Sequence, residues 1–156
     1  MKKISFVGFC MLICSFSFGQ NNGGTYNWAV GLKYQPAALS VKHYSQKGDA
    51  LEFLLTKYNE GTRLTALFEL AYKLNKSGSL RTVMGPGLHV GIWDNDIKKN
   101  TYIKNPIIGF DAIFGIEYKI PNAPIAFQLD YQPSVDVVGN SDIFKDWGGL
   151  TIKFCW

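Results

Sequence analysis

The chain has 156 residues, of which 47% are hydrophobic, 15% aromatic and only 18% charged, with 16 Lys+Arg against 12 Asp+Glu. Soluble domains carry about 25% charged residues, so the deficit excludes a disordered chain and argues against an ordinary cytosolic enzyme. The mean hydropathy is −0.01, and past the N-terminal segment no apolar run nears the ~20 residues of a spanning helix. The length fits one domain.

Met1-Lys2-Lys3 is a basic opening, Ile4 to Phe18 is apolar and uncharged, and Ser17 and Gly19 are small residues at the −3 and −1 positions of a cut before Gln20. That order is the pattern of a secretory signal peptide. It predicts a cleaved leader over 1–19 and a mature domain over 20–156. Acylation at Cys14 would want a small residue before it, and Ile13 is large. Removing Lys2 and Lys3 lowers the formal charge from +4 to +2, so no nucleic-acid partner is expected. Cys10 and Cys14 leave as well, and an exported chain with Cys155 alone has no internal disulfide. Within its alternating segment, Cys155 reads as a small space-filling side chain.

The mature chain then alternates with a period of two, the signature of strands with unlike faces. Trp28, Val30, Leu32 and Tyr34 interleave with Ala29, Gly31, Lys33 and Gln35. Leu39 and Val41 alternate with Ser40 and Lys42, and Leu51, Phe53 and Leu55 with Glu52, Leu54 and Thr56. The fourth segment sets Leu64, Ala66, Phe68, Leu70, Tyr72 and Leu74 against Arg63, Thr65, Leu67, Glu69, Ala71 and Lys73. Its composition would also suit a helix, but the strict alternation speaks for a strand. Four more follow: Leu80 to Ile92, Ile108 to Tyr118, Ile125 to Tyr131 and Leu150 to Trp156. Turn-forming runs separate them, among them Gln46-Lys47-Gly48-Asp49, Asn75-Lys76-Ser77-Gly78 and Pro121-Asn122-Ala123-Pro124.

The apolar faces carry no charge except at strand ends, where Lys57 and His43 fall out of phase. The opposite faces carry Lys33, Lys42, Glu52, Arg63, Glu69, Lys73, Arg81, Asp111, Glu117, Lys119, Asp130 and Lys153. Alternation alone does not say which face is inside. A lipocalin-like barrel turns the apolar face inward around a ligand, and a transmembrane barrel turns it outward to lipid. Gly31, Gly85, Gly87, Gly91, Gly109, Gly115 and Gly149 all lie on the charged face, which suits a narrow lumen short of volume. Trp28, Tyr34, Tyr72, Tyr118, Tyr131 and Trp156 sit near segment ends on the apolar face, where a lipid–water interface would hold them. Tyr44 and Trp93 are on the other face.

The last segment, Gly149-Leu150-Thr151-Ile152-Lys153-Phe154-Cys155-Trp156, ends on an aromatic residue with apolar residues at every second position. It resembles the terminal strand of Gram-negative outer membrane β-barrel proteins, in which the barrel assembly machinery reads such a strand as an insertion signal; here Gly149, Ile152, Phe154 and Trp156 would carry it. With the leader and eight strands, the mature chain resembles the small outer membrane barrels of the OmpX and OmpA-transmembrane-domain type. Gly115-Ile116-Glu117-Tyr118-Lys119-Ile120 and Leu129-Asp130-Tyr131-Gln132-Pro133-Ser134 are similar to the generic outer membrane β-barrel domain. The resemblance implies an all-β, eight-stranded antiparallel up-and-down transmembrane barrel in the cell outer membrane, with lipid as its solvent and both termini periplasmic. The two longest connections, Asp94 to Asn105 and Ser134 to Asp146, would then face outward as a contact surface for an extracellular partner, whereas those near Pro36 and Gly61 are short.

No enzyme motif stands out, and fold alone implies no function. His43 and His89 are the only histidines, with no Cys/His or HExxH spacing for a metal. His43-Tyr44-Ser45 resembles the His-x-Ser pair of lipid A deacylases but lies early in the chain, on the second strand. Asp94-Asn95-Asp96 lacks the spacing of a calcium loop and reads as solvated. His89, between Gly87 and Gly91, reads as a lumen hydrogen-bonding residue. Paired charges formed by Lys33, Glu52, Arg63, Glu69, Lys73, Arg81, Asp111, Glu117, Asp130 and Lys153 are expected to plug the lumen, which makes a general porin unexpected. The expectation is thus a non-enzymatic outer membrane barrel without cofactor or metal, in a structural or surface-interaction role. The alternatives are a lipid-modifying outer membrane enzyme and a soluble lipocalin-like binder.

Overall fold

A computed structural model describes residues 26–45, 48–58, 61–93, 106–139, 143–144 and 148–156. The expected leader, the Asp94 to Asn105 connection and parts of the Ser134 to Asp146 connection lie outside the described residues. The strands are β1 (Trp28–Tyr34), β2 (Ala38–Tyr44), β3 (Asp49–Tyr58), β4 (Gly61–Lys73), β5 (Leu80–Trp93), β6 (Ile107–Lys119), β7 (Ile125–Tyr131), β8 (Ser134–Val138), β9 (Ile143–Phe144) and β10 (Gly148–Cys155). Each pairs antiparallel with its neighbours, β10 closes onto β1, and β5 joins β6. β7 and β8 both pair with β6, and β9 and β10 continue the next wall position. The result is a closed eight-stranded up-and-down barrel.

Strand seven runs straight through Pro133. Phe114 faces Tyr131 and Asp111 faces Ser134 in one unbroken register, and the Ala112 amide still bonds the Pro133 carbonyl at 3.0 Å. Proline removes one ladder donor, but Gln132, Pro133 and Ser134 keep the in–out alternation. Ser134–Val138 and Ile143–Phe144 are therefore wall, and the expected long loop over Ser134 to Asp146 is corrected to a hairpin extension. At the opposite end, Gly48 and Gly78 take positive φ values of 95° and 67° in their turns, where a side chain would be strained.

The two faces are inverted relative to a water-soluble core. Outside stand Leu32, Tyr34, Phe53, Leu64, Phe68, Tyr72, Leu88, Ile92, Phe110, Leu129 and Ile152, all exposed, and Leu32 is 69% exposed. Inside, among the described residues, are six basic residues (Lys33, Lys42, Arg63, Arg81, Lys119, Lys153) against six acidic ones (Glu52, Glu69, Asp111, Glu117, Asp130, Asp136), all buried. Lys73, expected among them, is exposed: β3 begins at Asp49, opposite Leu70, so Lys73, the last residue of β4, is laddered to β5 alone and stands at the rim. Asp136, which was not expected there, is the sixth acid.

Glycine makes room for these charges. Directly across the ladder, Gly31 faces Lys153, Gly87 faces Asp111, Gly91 faces Arg63, Gly109 faces His89, and Gly115 and Gly149 both face Asp130. A Cβ on Gly109 would come within 2.5 Å of His89 Cε1, and one on Gly31 within 2.7 Å of Lys153 Cγ. The sequence alternates long with absent side chains because a narrow barrel holds only one of each pair.

Candidate functional site: the lumen network

At the end carrying the chain termini, Lys42 is the hub. Its Nζ lies 2.6 Å from Glu69 Oε2, 3.0 Å from Glu117 Oε2, 2.9 Å from Gln128 Oε1 and 3.7 Å from Glu52 Oε2. Lys153 adds Gln128 Oε1 at 2.7 Å and Glu52 Oε1 at 2.9 Å, and Ser40 donates to Glu52. Below them Tyr26 and Tyr44, with rings edge-on at 5.0 Å, donate to Glu117 at 2.8 and 3.0 Å. Arg81 lies over both rings and 3.4 Å from Glu117 Oε1. The rings fit because Ala29, Ala50, Ala126 and Cys155 are their small buried neighbours. Lys119 caps the rim, donating to the Ala123 carbonyl at 2.8 Å.

At the far end the hub is Asp111. It pairs with Arg63, accepts from Gln132 Nε2 at 3.0 Å and meets His89 Nδ1 at 2.6 Å. His89 Nε2 reaches Asp136 Oδ1 at 2.9 Å, and Arg63 also bonds Ser134. Lys33 pairs with Asp130 and donates to Gln132 Oε1 at 3.1 Å.

Two glutamines join the ends. Gln132 donates to Asp111 and accepts from Lys33, while Gln128 donates to Asp130 at 3.2 Å and accepts from Lys42 and Lys153. An amide does both, which a carboxylate or an ammonium cannot. The chain Asp136–His89–Asp111–Gln132–Lys33–Asp130–Gln128–Lys42–Glu117–Tyr26 therefore runs unbroken along the lumen. Ala38, Leu54, Leu67 and Ile113 form a buried apolar cluster.

Of the residues expected in the network, Lys33, Glu52, Arg63, Glu69, Arg81, Asp111, Glu117, Asp130 and Lys153 are in it, and Lys73 is not. Gln128, Gln132, Asp136, Tyr26 and Tyr44 belong to it without having been expected. The inward phase of the glutamines was a readable signal, but counting ionised groups passes over neutral ones. The terminal residues divide as their phase requires: Ile152 is exposed, Gly149 is buried, and Phe154 and Trp156 are half-buried with rings 6.1 Å apart. His43 is outside at the rim, 4.2 Å from the Trp28 ring and with Nδ1 3.0 Å from the Asn27 carbonyl, while Tyr44 turns into the lumen. Among the described residues no cluster of His, Cys, Asp and Glu is arranged to hold a metal. Compared with family models, curated proteins and solved structures, the chain matches none.

Proposed function

We propose that the protein is an integral outer membrane β-barrel with a structural or surface-interaction role, exported by its N-terminal leader and inserted through the barrel assembly machinery with Gly149, Ile152, Phe154 and Trp156 as the signal. The observation that carries this reading is the inversion of faces. A wall of exposed Leu, Ile, Val, Phe and Tyr surrounds an interior of buried ions. Monomeric soluble proteins rarely expose contiguous apolar patches beyond a few hundred Å², and a lipocalin-like binder would need the apolar face inside. Lipid outside satisfies the first face and mutual pairing the second. The end carrying the termini is then periplasmic, and the β8–β9 hairpin with the Asp94 to Asn105 connection faces outward as the contact surface.

The same network argues against a general porin, because opening a pore would strand buried charges. In cell fractionation the protein is expected with the outer membrane, migrating faster on gels before boiling than after. Recovery in the soluble periplasm without that shift overturns the reading. Reconstituted in planar bilayers, it should show no large, steady conductance.

A further inference from the structure

Followed once round the barrel, the hydrogen-bond ladder leaves β4 at Lys73, passes Glu117 on β6, Thr151 on β10 and Ala38 on β2, and returns to β4 at Arg63, ten residues nearer the far end. Ten residues of ~3.3 Å over eight strands spaced ~4.8 Å tilt the strands by ~40°. Each residue then climbs ~2.5 Å along the barrel axis, and each step to the next strand ~3 Å. Outward side chains on different strands can therefore be compared on one scale of height.

On that scale the apolar wall is not equally tall all round. β6 presents Ile108, Phe110, Ala112, Phe114, Ile116 and Tyr118 outward in unbroken succession, ~25 Å of height. The outward positions of strand seven are apolar from Ile125 to Val137, ~30 Å. Diametrically opposite in the strand order stand β2 and β3. There β3 presents Leu51, Phe53 and Leu55, ~10 Å of height, between Asp49 and Lys57. β2 presents Leu39 and Val41, followed by His43 and Ser45, both exposed. Asp49 and Lys57 lie ~20 Å apart along the axis, less than the ~25 Å apolar band of a membrane barrel. Tilting the whole barrel does not remove the difference, because tilt raises one flank and lowers the other without changing the height of either.

We propose that the β2–β3 flank is a membrane-thinning surface: the lipid headgroups of the two leaflets are drawn together along it, while β6 and strand seven keep a bilayer of ordinary thickness on the other side. This rests on the reading of the chain as a membrane barrel. Hydrocarbon left against a charged rim is unfavourable, and a bilayer meets a short apolar stretch by thinning beside it. Asp49, Ser45 and His43 hold one headgroup layer at the terminal end of the flank, and Lys57 holds the other at the far end. The shortest apolar path between the leaflets along this wall then runs over Leu51, Phe53 and Leu55.

Methyl NMR of the protein in phospholipid nanodiscs tests it, with a gadolinium chelate carried on lipid headgroups in both leaflets to broaden nearby signals. Leu51 on β3 stands within ~1 Å of the height of Ile116 on β6, and Leu55 within ~1 Å of the height of Ala112. A bilayer of even thickness broadens the members of each pair alike. The expected record is several-fold stronger broadening at Leu51 and Leu55 than at Ile116 and Ala112. Equal broadening within both pairs overturns the proposal and leaves the membrane reading standing. A protein that stays outside the nanodisc, with none of the four methyls responding, overturns that reading and the proposal with it. Combining Asp49→Leu with Lys57→Leu lengthens the short flank, so broadening at Leu51 and Leu55 should fall toward that of their partners; unchanged broadening refutes the assignment of the rim. The unsubstituted protein decides between even and uneven thickness even if that variant does not fold.

Discussion

The two ends of the lumen solve the same problem with different chemistry. At the terminal end, three carboxylates meet the amines of Lys42 and Lys153 and the guanidinium of Arg81, and two phenols complete the hydrogen bonding of Glu117. At the far end, three carboxylates meet Lys33, Arg63 and a histidine. Lysine, guanidinium and phenol donors fill the terminal end, whereas the imidazole in the third position at the far end reaches two carboxylates from its two ring nitrogens. The difference places aromatic packing beside the chain termini and an imidazole link between β6 and β8 beside the β8–β9 hairpin.

The harshest way to break the terminal end is Lys42→Met. It leaves Glu52, Glu69 and Glu117 with their shared ammonium gone, and removing one partner of a buried ionic cluster costs about 3–5 kcal/mol. Urea unfolding in lipid vesicles should show that loss, or the folded, heat-modifiable band should fail to form. A variant as stable as the parent would mean the terminal plug is not held by Lys42. Gln128→Leu comes next, because it deprives two lysines of an acceptor and Asp130 of a donor. Leaving buried polar groups unsatisfied costs about 1–3 kcal/mol each, so a loss of about 2 kcal/mol is expected from the same unfolding curves.

A subtler experiment asks whether the two ends communicate. Substitutions far apart normally add to within about 0.5 kcal/mol. Tyr44→Phe and Asp136→Asn sit at opposite ends, joined among the described residues through the glutamine chain described above. Their double-mutant cycle should show coupling of about 0.5–1 kcal/mol, and the coupling should vanish in a Gln128→Leu background. Strict additivity in the parent would mean that the network is continuous in geometry but not in energy.

Most of this arrangement can be read from residue types because an eight-stranded wall enforces a period of two. Arg63, Glu69, Asp111 and Glu117 could be assigned inward from their neighbours alone, and the glycines on the charged face gave away the narrowness of the lumen. The misreadings have physical causes. Asp136 was hidden behind Pro133, which marks a missing donor and not the end of a strand. Tyr26 precedes the first alternating run and is placed by backbone bonds next to it: those of Asn27 and Trp28 to the Trp156 carbonyl, at 3.0 Å each, and that of the Tyr44 amide to the Asn27 carbonyl at 2.8 Å. The glutamines carry no charge, so a balance of signs cannot register them. Which residues pair across the lumen depends on stagger between strands, and alternation contains no information about stagger.

Lys73 offers the smallest effect and the sharpest check on the boundary between lumen and rim. Its phase is that of Arg63 and Glu69, and its ladder partner Arg81 is buried under two tyrosine rings, yet Lys73 itself is exposed. Lys73→Gln should therefore behave as a surface change, within about 0.5 kcal/mol of the parent, whereas Lys33→Gln, also inward in phase but buried against Asp130, should cost several times more. Equal losses for the two would push the sealed lumen out to the end of β4, and the balance of six buried bases against six buried acids would become seven against six. Near-neutrality at Lys73 keeps the balance among the described residues at six against six, with Asp136 as the sixth acid.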